Sequence, residues 1–245
     1  MFREINLLAC FFLLFFTSCS EEIEMTTPKP QSNSINKILT LGASRVEGGR
    51  PEYESYRYDL WKKLKENNFI FDFIGTQTDK SAYPKFNDMT FDCDHEGRGG
   101  WTSMDILNDI DCWLSLTGPP DIVLFSSPGG NDALEGLSYT EAVANINDII
   151  DIIQDFNPNI TIIIEQMAPA RSDLMTSELT EFLENMKVEI LNISQNQTTS
   201  KSEIIAIDMF SGFSDSLLAD DVHYNEEGAK FIAERYFDLL VSVLD

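Results

Sequence analysis

The sequence predicts an α/β domain in three layers, with a five-stranded parallel sheet between two sets of helices, flavodoxin-like in outline. Three observations predict it. From residue 37 onward, short unbroken apolar runs alternate with longer amphipathic stretches; runs without polar alternation belong to strands buried on both faces. The chain of 245 residues, 43% hydrophobic and 24% charged, shows no repeat and has material for one large core. The residues able to carry chemistry fall at the carboxyl ends of the apolar runs, where parallel sheets place their sites.

The elements follow in order. Residues 37–41, Lys37-Ile38-Leu39-Thr40-Leu41, read as the first strand and run into Gly42-Ala43-Ser44. Residues 56–67 place Tyr58, Leu60, Trp61 and Leu64 near one helical face, and residues 69–74 form the second strand, ended by Gly75. The connection over 76–100 is rich in Asp, Gly and aromatics. A loop of that length in a compact domain is usually functional, so it is expected to form the substrate rim. Residues 102–116 are helical; Pro119-Pro120 breaks the helix before a third strand over 121–126. A long helix over 138–156 stops at Asn157-Pro158, followed by a β-branched strand over 160–164. A helix over 177–195, a strand over 203–208 and a closing helix over 226–244 complete the domain of residues 37–245.

The N-terminus reads as a processing signal. Arg3 precedes the apolar run 7–16, too short to span a bilayer but suited to a secretory signal over residues 1–18. It ends in Phe16-Thr17-Ser18-Cys19, which resembles a bacterial lipobox and implies lipidation of Cys19; an ordinary signal peptide is the alternative. Residues 19–36 are polar, with Pro28 and Pro30, and read as a flexible tether. The expectation is an exported lipoprotein, membrane-anchored through Cys19, in the outer membrane. Cys93 and Cys112 remain in the domain, either bonded or as two buried thiols.

A net charge of -24 argues against nucleic acid or any anionic polymer as partner and favours a neutral substrate. A monomer is expected. The chain holds two His, at 95 and 223. His95 in Asp94-His95-Glu96 has no second His or Cys pair to complete a metal site, and adjacent side chains diverge, so no metal or cofactor is expected. The Gly-x-Ser-x-Gly elbow is absent, since Val46 stands at its second Gly, and no Gly-Lys-Ser or Gly-Lys-Thr phosphate loop occurs.

A nucleophilic hydroxyl needs a base, and the base an orienting carboxylate. Ser44 at one end of the chain and Asp220-Asp221-Val222-His223 at the other supply all three. Four spaced blocks then resemble the SGNH hydrolases, the GDSL lipases and acylhydrolases: Ser44, Gly100, Gly129-Gly130-Asn131-Asp132, and Asp220 with His223. The resemblance implies a triad of Ser44, His223 and Asp220, and an oxyanion hole from the N–H groups of Ser44 and Gly100 and the amide of Asn131. Gly-Ala-Ser stands where the family has Gly-Asp-Ser, and Asp221 is expected to be a helix-entry carboxylate. His95-Glu96-Gly97 before Gly99-Gly100-Trp101-Thr102 looks like the second block of the carbohydrate-acting branch. The resemblance thus implies a serine esterase for short acyl, above all O-acetyl, esters of carbohydrates. A lysophospholipase or lipase of the same superfamily and a non-catalytic glycan-binding lipoprotein are the alternatives. Its walls are expected from 76–100 and 209–219, with Tyr83, Phe86, Phe91, Trp101, Phe210 and Phe213 among polar groups.

Overall fold

The computed structural model describes residues 30–244; the signal and lipid expectations for residues 1–19 lie outside them. All five expected strands are present: β1 (Lys37–Gly42), β2 (Asp72–Ile74), β5 (Ile122–Phe125), β6 (Thr161–Gln166) and β7 (Glu203–Asp208). Two short strands, β3 (Gln77–Thr78) and β4 (Asp94–Gly97), arise inside the connection expected to be loop. The sheet runs β3-β4-β1-β5-β6-β7, with β2 also on β1, and is parallel except for the β3–β4 pair. β1 pairs with β2 along Lys37, Ile38 and Leu39 and with β4 at Leu41 and Gly42.

Alternate strand residues feed two cores. Leu39, Leu41, Val123, Phe125, Ile162 and Ile164 pack with apolar residues of α3 (Ser103–Thr117), α5 (Tyr139–Phe156) and α6 (Ser177–Asn196). Ile38, Ile122, Leu124 and Ile163 pack on the other face with α2 (Arg57–Glu66) and α7 (Glu226–Leu240). That double burial is why these strands carry no polar alternation. α3, α5, α6 and α7 each start on a side chain that meets free N–H groups of the first turn, whereas α2 has no side-chain cap. Thr102 and Asp105 form a capping box on α3, Ser138 caps α5, Thr176 caps α6, and Asn225 caps α7.

β4 is assembled from polar residues with internal partners. Glu96 is fully buried and accepts from the Thr76 N–H and hydroxyl, each at 2.8 Å, and from the Arg98 guanidinium. Burial still pushes the Glu96 pKa up, against the opposing pull of Arg98 and Thr76. His95 is buried too, its Nδ1 accepting from the Gly97 N–H at 3.0 Å. Cys93 is a free, half-buried thiol, so Cys93 and Cys112 are not bonded to each other.

Candidate active site

Ser44 opens α1 (Ser44–Glu47), a single turn at the carboxyl end of β1. As a first-turn residue its N–H has no acceptor within the helix. Its hydroxyl lies 2.8 Å from His223 Nε2, while His223 Nδ1 lies 2.7 Å from Asp220 Oδ2. The other oxygen, Asp220 Oδ1, accepts the backbone N–H of Val222 at 2.9 Å and of His223 at 2.8 Å. Burial alone would raise the Asp220 pKa, but those two N–H donors and the imidazole outweigh it, and the carboxyl lies below its ordinary range. The carboxylate therefore stays charged beside the ring and fixes its tautomer.

The three donors expected of an oxyanion hole come from separate elements. Gly100, exposed and at φ +80°, ends the turn after β4. That turn is anchored by the Gly99 N–H donating to Glu47 Oε2 at 2.6 Å, and by Arg98, whose guanidinium lies over Trp113 and Trp101. Gly97 is glycine because a Cβ there would stand 2.4 Å from the Glu47 nitrogen. Asn131, in α4 (Gly130–Leu134), donates one amide hydrogen to the Trp101 carbonyl at 2.7 Å, which leaves the second for the site. Buried Asp132 accepts from the Ser103 N–H at 2.8 Å and its hydroxyl at 2.6 Å, locking α4 onto the start of α3.

Beneath the site, Arg45 buries its guanidinium on four acceptors. They are the carbonyls of Val222, Ala168 and Pro169 at 2.8, 2.8 and 3.1 Å, and Ser127 Oγ at 3.3 Å. Ser127 in turn reaches the fully buried Glu165, which also accepts from Ser126 and from the Tyr236 hydroxyl at 2.7 Å. Burial raises the Glu165 pKa despite these donors.

A cleft of about 50 Å³ opens beside Ser44. Leu134, Met167, Ala170, Leu179, Leu183 and Val222 line its apolar side, and Asn131 and Ser127 its polar side. Apart from Val222, which stands inside the Asp220–His223 block, none of these apolar residues was singled out in the sequence; Leu179 and Leu183 fall in the helix expected over 177–195. Of the aromatic walls expected instead, Phe91 is buried in the core and Tyr83, Phe86, Phe213 and Trp101 are partly buried against it, while Phe210 lies under the Lys187 ammonium. Tyr83, Phe91 and Tyr58 pack on one another, Phe86 meets Trp61, and Phe213 meets Tyr224 and Phe231. Asp221 does not enter the helix; Asn225 caps α7, and Asp221 pairs with Arg171 at 2.5 Å. Among the described residues, no cluster of His, Cys, Asp and Glu could hold a metal ion.

The arrangement can pass a proton from the Ser44 hydroxyl to the imidazole while the hydroxyl oxygen attacks an electrophile. Residues 77–231 match the model of the GDSL-like Lipase/Acylhydrolase family; Ser44 precedes that span. No curated protein matches the sequence. Three solved structures are similar. A mutant acetyl esterase, crystallised with an acetate ion, is 26% identical at a TM-score of 0.73, covering 84% of this chain and 97% of that one. A carbohydrate esterase family 3 protein from Talaromyces cellulolyticus is 27% identical at 0.72, with 84% and 97% covered. The family 3 carbohydrate esterase of Clostridium thermocellum is 26% identical at 0.67, with 85% and 98% covered.

Proposed function

The chain belongs to the GDSL-like Lipase/Acylhydrolase family and is an ester hydrolase; on that premise we propose that it removes short acyl groups, above all acetyl, from carbohydrates through a Ser44–His223–Asp220 triad. The observation that carries this reading is the unbroken chain of hydrogen bonds from the Ser44 hydroxyl through both ring nitrogens to Asp220, at 2.8 and 2.7 Å.

In this mechanism Ser44 Oγ attacks the ester carbonyl as His223 Nε2 takes its proton, and Asp220 steadies the imidazolium. The oxyanion gathers the N–H groups of Ser44 and Gly100 and the free amide hydrogen of Asn131, each worth roughly 3–4 kcal/mol in the transition state. Collapse returns the proton from His223 to the departing alcohol. A water, activated by the same imidazole, then releases the acid from Ser44.

The small cleft beside Ser44, about 50 Å³, supports a short acyl group over a long chain. The carbohydrate half rests on the acetyl and family 3 carbohydrate esterases among the similar structures, and on a surface whose charge of -24 disfavours anionic lipid head groups. The test is a panel of acetyl to octanoyl nitrophenyl esters beside acetylated oligosaccharides and alkyl acetates. We expect kcat/KM to fall steeply beyond acetyl, with acetylated saccharides ahead of alkyl acetates. Octanoyl or longer esters as the better substrates would instead favour a lipase or lysophospholipase.

From Phe16-Thr17-Ser18-Cys19 we also infer export and lipidation at Cys19. Intact-mass measurement on protein from its native host should find acyl chains on Cys19 as the first residue; an unmodified start elsewhere would overturn it.

A further inference from the structure

His223 is held along one edge only. Asp220 takes Nδ1 and Ser44 takes Nε2, which leaves the ring free to tilt about that axis, and both His223 and Asp220 are reached by water, their side chains 20% and 50% exposed. One ring face, however, is covered. Tyr53 stacks on it with ring centroids 4.0 Å apart and planes at 19°.

Local structure places that phenol. The Glu54 N–H donates to the Tyr224 carbonyl at 2.8 Å in an antiparallel bridge, which holds the segment bearing Tyr53 beside the segment bearing His223. The Tyr53 backbone exchanges two hydrogen bonds with Gly49, both at 3.3 Å. A Cβ on Gly49 would lie 2.3 Å from Tyr53 Cε1 and 2.5 Å from Cζ, so only glycine leaves the ring its place. Burial first, then the charges of Glu47 and Asp220, push the phenol's pKa up and keep it neutral.

We propose that Tyr53 is a positioning residue for His223: its face fixes the tilt of the imidazole so that Nε2 stays on Ser44 and Nδ1 on Asp220, and its π electrons receive part of the positive charge when the ring takes the Ser44 proton. The inference rests on the triad proposed above and adds to it a group that touches neither substrate nor the transferred proton.

The experiment compares Tyr53→Leu, Tyr53→Phe and Gly49→Ala, each checked for an unchanged melting transition. Tyr53→Leu should lower kcat about tenfold with KM within about twofold, Tyr53→Phe should restore most of that loss, and Gly49→Ala should act like Tyr53→Leu with the tyrosine still present. The second readout is the low-field proton NMR signal of the His223 Nδ1–H in the resting protein, which is simple to assign in a chain with two His. It should persist in wild type and Tyr53→Phe and broaden into solvent exchange in Tyr53→Leu. An unchanged kcat and an unchanged low-field signal in Tyr53→Leu would overturn the proposal, as would Tyr53→Phe behaving like Tyr53→Leu. Should Tyr53→Leu not fold, Gly49→Ala decides by the same two readouts. A wild-type protein without ester turnover but with the predicted NMR response would refute the esterase mechanism and leave the positioning role standing.

Discussion

Arg45 Nε donates to the carbonyl of Val222 at 2.8 Å, tying the residue after Ser44 to the residue before His223. Ser44 and His223 lie far apart in the chain, and this one guanidinium spans the gap between their neighbours. Its remaining donors hold the 168–169 loop that borders the cleft.

Arg45→Met should therefore damage both stability and turnover. It strips three carbonyls of a buried donor and removes the positive charge near buried Glu165, which we expect to cost about 3 kcal/mol. A displacement of about 1 Å between Ser44 and His223 should lower kcat about a hundredfold. Thermal unfolding and steady-state kinetics check both; a folded Arg45→Met protein with wild-type kcat would show that the tie is dispensable.

Ser44→Ala and His223→Ala should each reduce ester hydrolysis about 10⁵-fold or more while leaving the melting temperature unchanged. Asp220→Asn should keep partial activity, down about 10²–10⁴-fold, because the other groups still act. Asp221→Asn should stay close to wild type, since its exposed pair with Arg171 contributes little. Initial rates on an acetyl ester decide, and a larger loss at Asp221 than at Asp220 would transfer the orienting role to Asp221.

Leu183 lies in the wall of the cleft beside Ser44. Leu183→Ala should lengthen the accepted acyl chain, because each methylene that no longer collides recovers roughly tenfold or more in kcat/KM. The ratio of butyryl to acetyl turnover reads this directly. A ratio that does not move would place the acyl group elsewhere.

Asp92 offers a pH test. Burial first, then the charges of Asp72 and Asp94, raise its pKa to about 6 against the opposing Phe73 N–H. The folded chain thus holds a proton that the unfolded chain has already released, and stability falls as pH rises from about 4 through about 6, then levels. Asp92→Asn keeps an acceptor for Phe73 and should be the more stable protein at pH 8, by about 1–3 kcal/mol, with no advantage at pH 4. Melting curves of both proteins across that range check the difference; parallel curves would mean that Asp92 titrates normally.

The strands legible in the sequence were those whose apolar runs face a core on each side, such as Ile162-Ile163-Ile164. β4 was hidden because its residues are Asp94, His95, Glu96 and Gly97, a composition that reads as loop until Thr76 and Arg98 are seen to satisfy Glu96. The four blocks were legible through their order and their place at strand ends. The cleft wall was not, because Leu179 and Leu183 carry the ordinary spacing of a buried helix face. Tyr53 had no local signal at all; its place at the imidazole depends on the Gly49 turn and on the pairing of Glu54 with Tyr224.

The hydrogen bond between Ser44 and His223 joins residues 179 positions apart. The entropy of closing so long a loop leads us to expect that this contact forms late, after the sheet between them exists and α7 has docked. On the proposed triad, a partly made or partly folded chain holds Ser44 without His223, and we expect it to be inert however native its first half has become. Recovery of activity during refolding is then a clock for the final docking event, lagging behind any optical signal that reports the growth of helices.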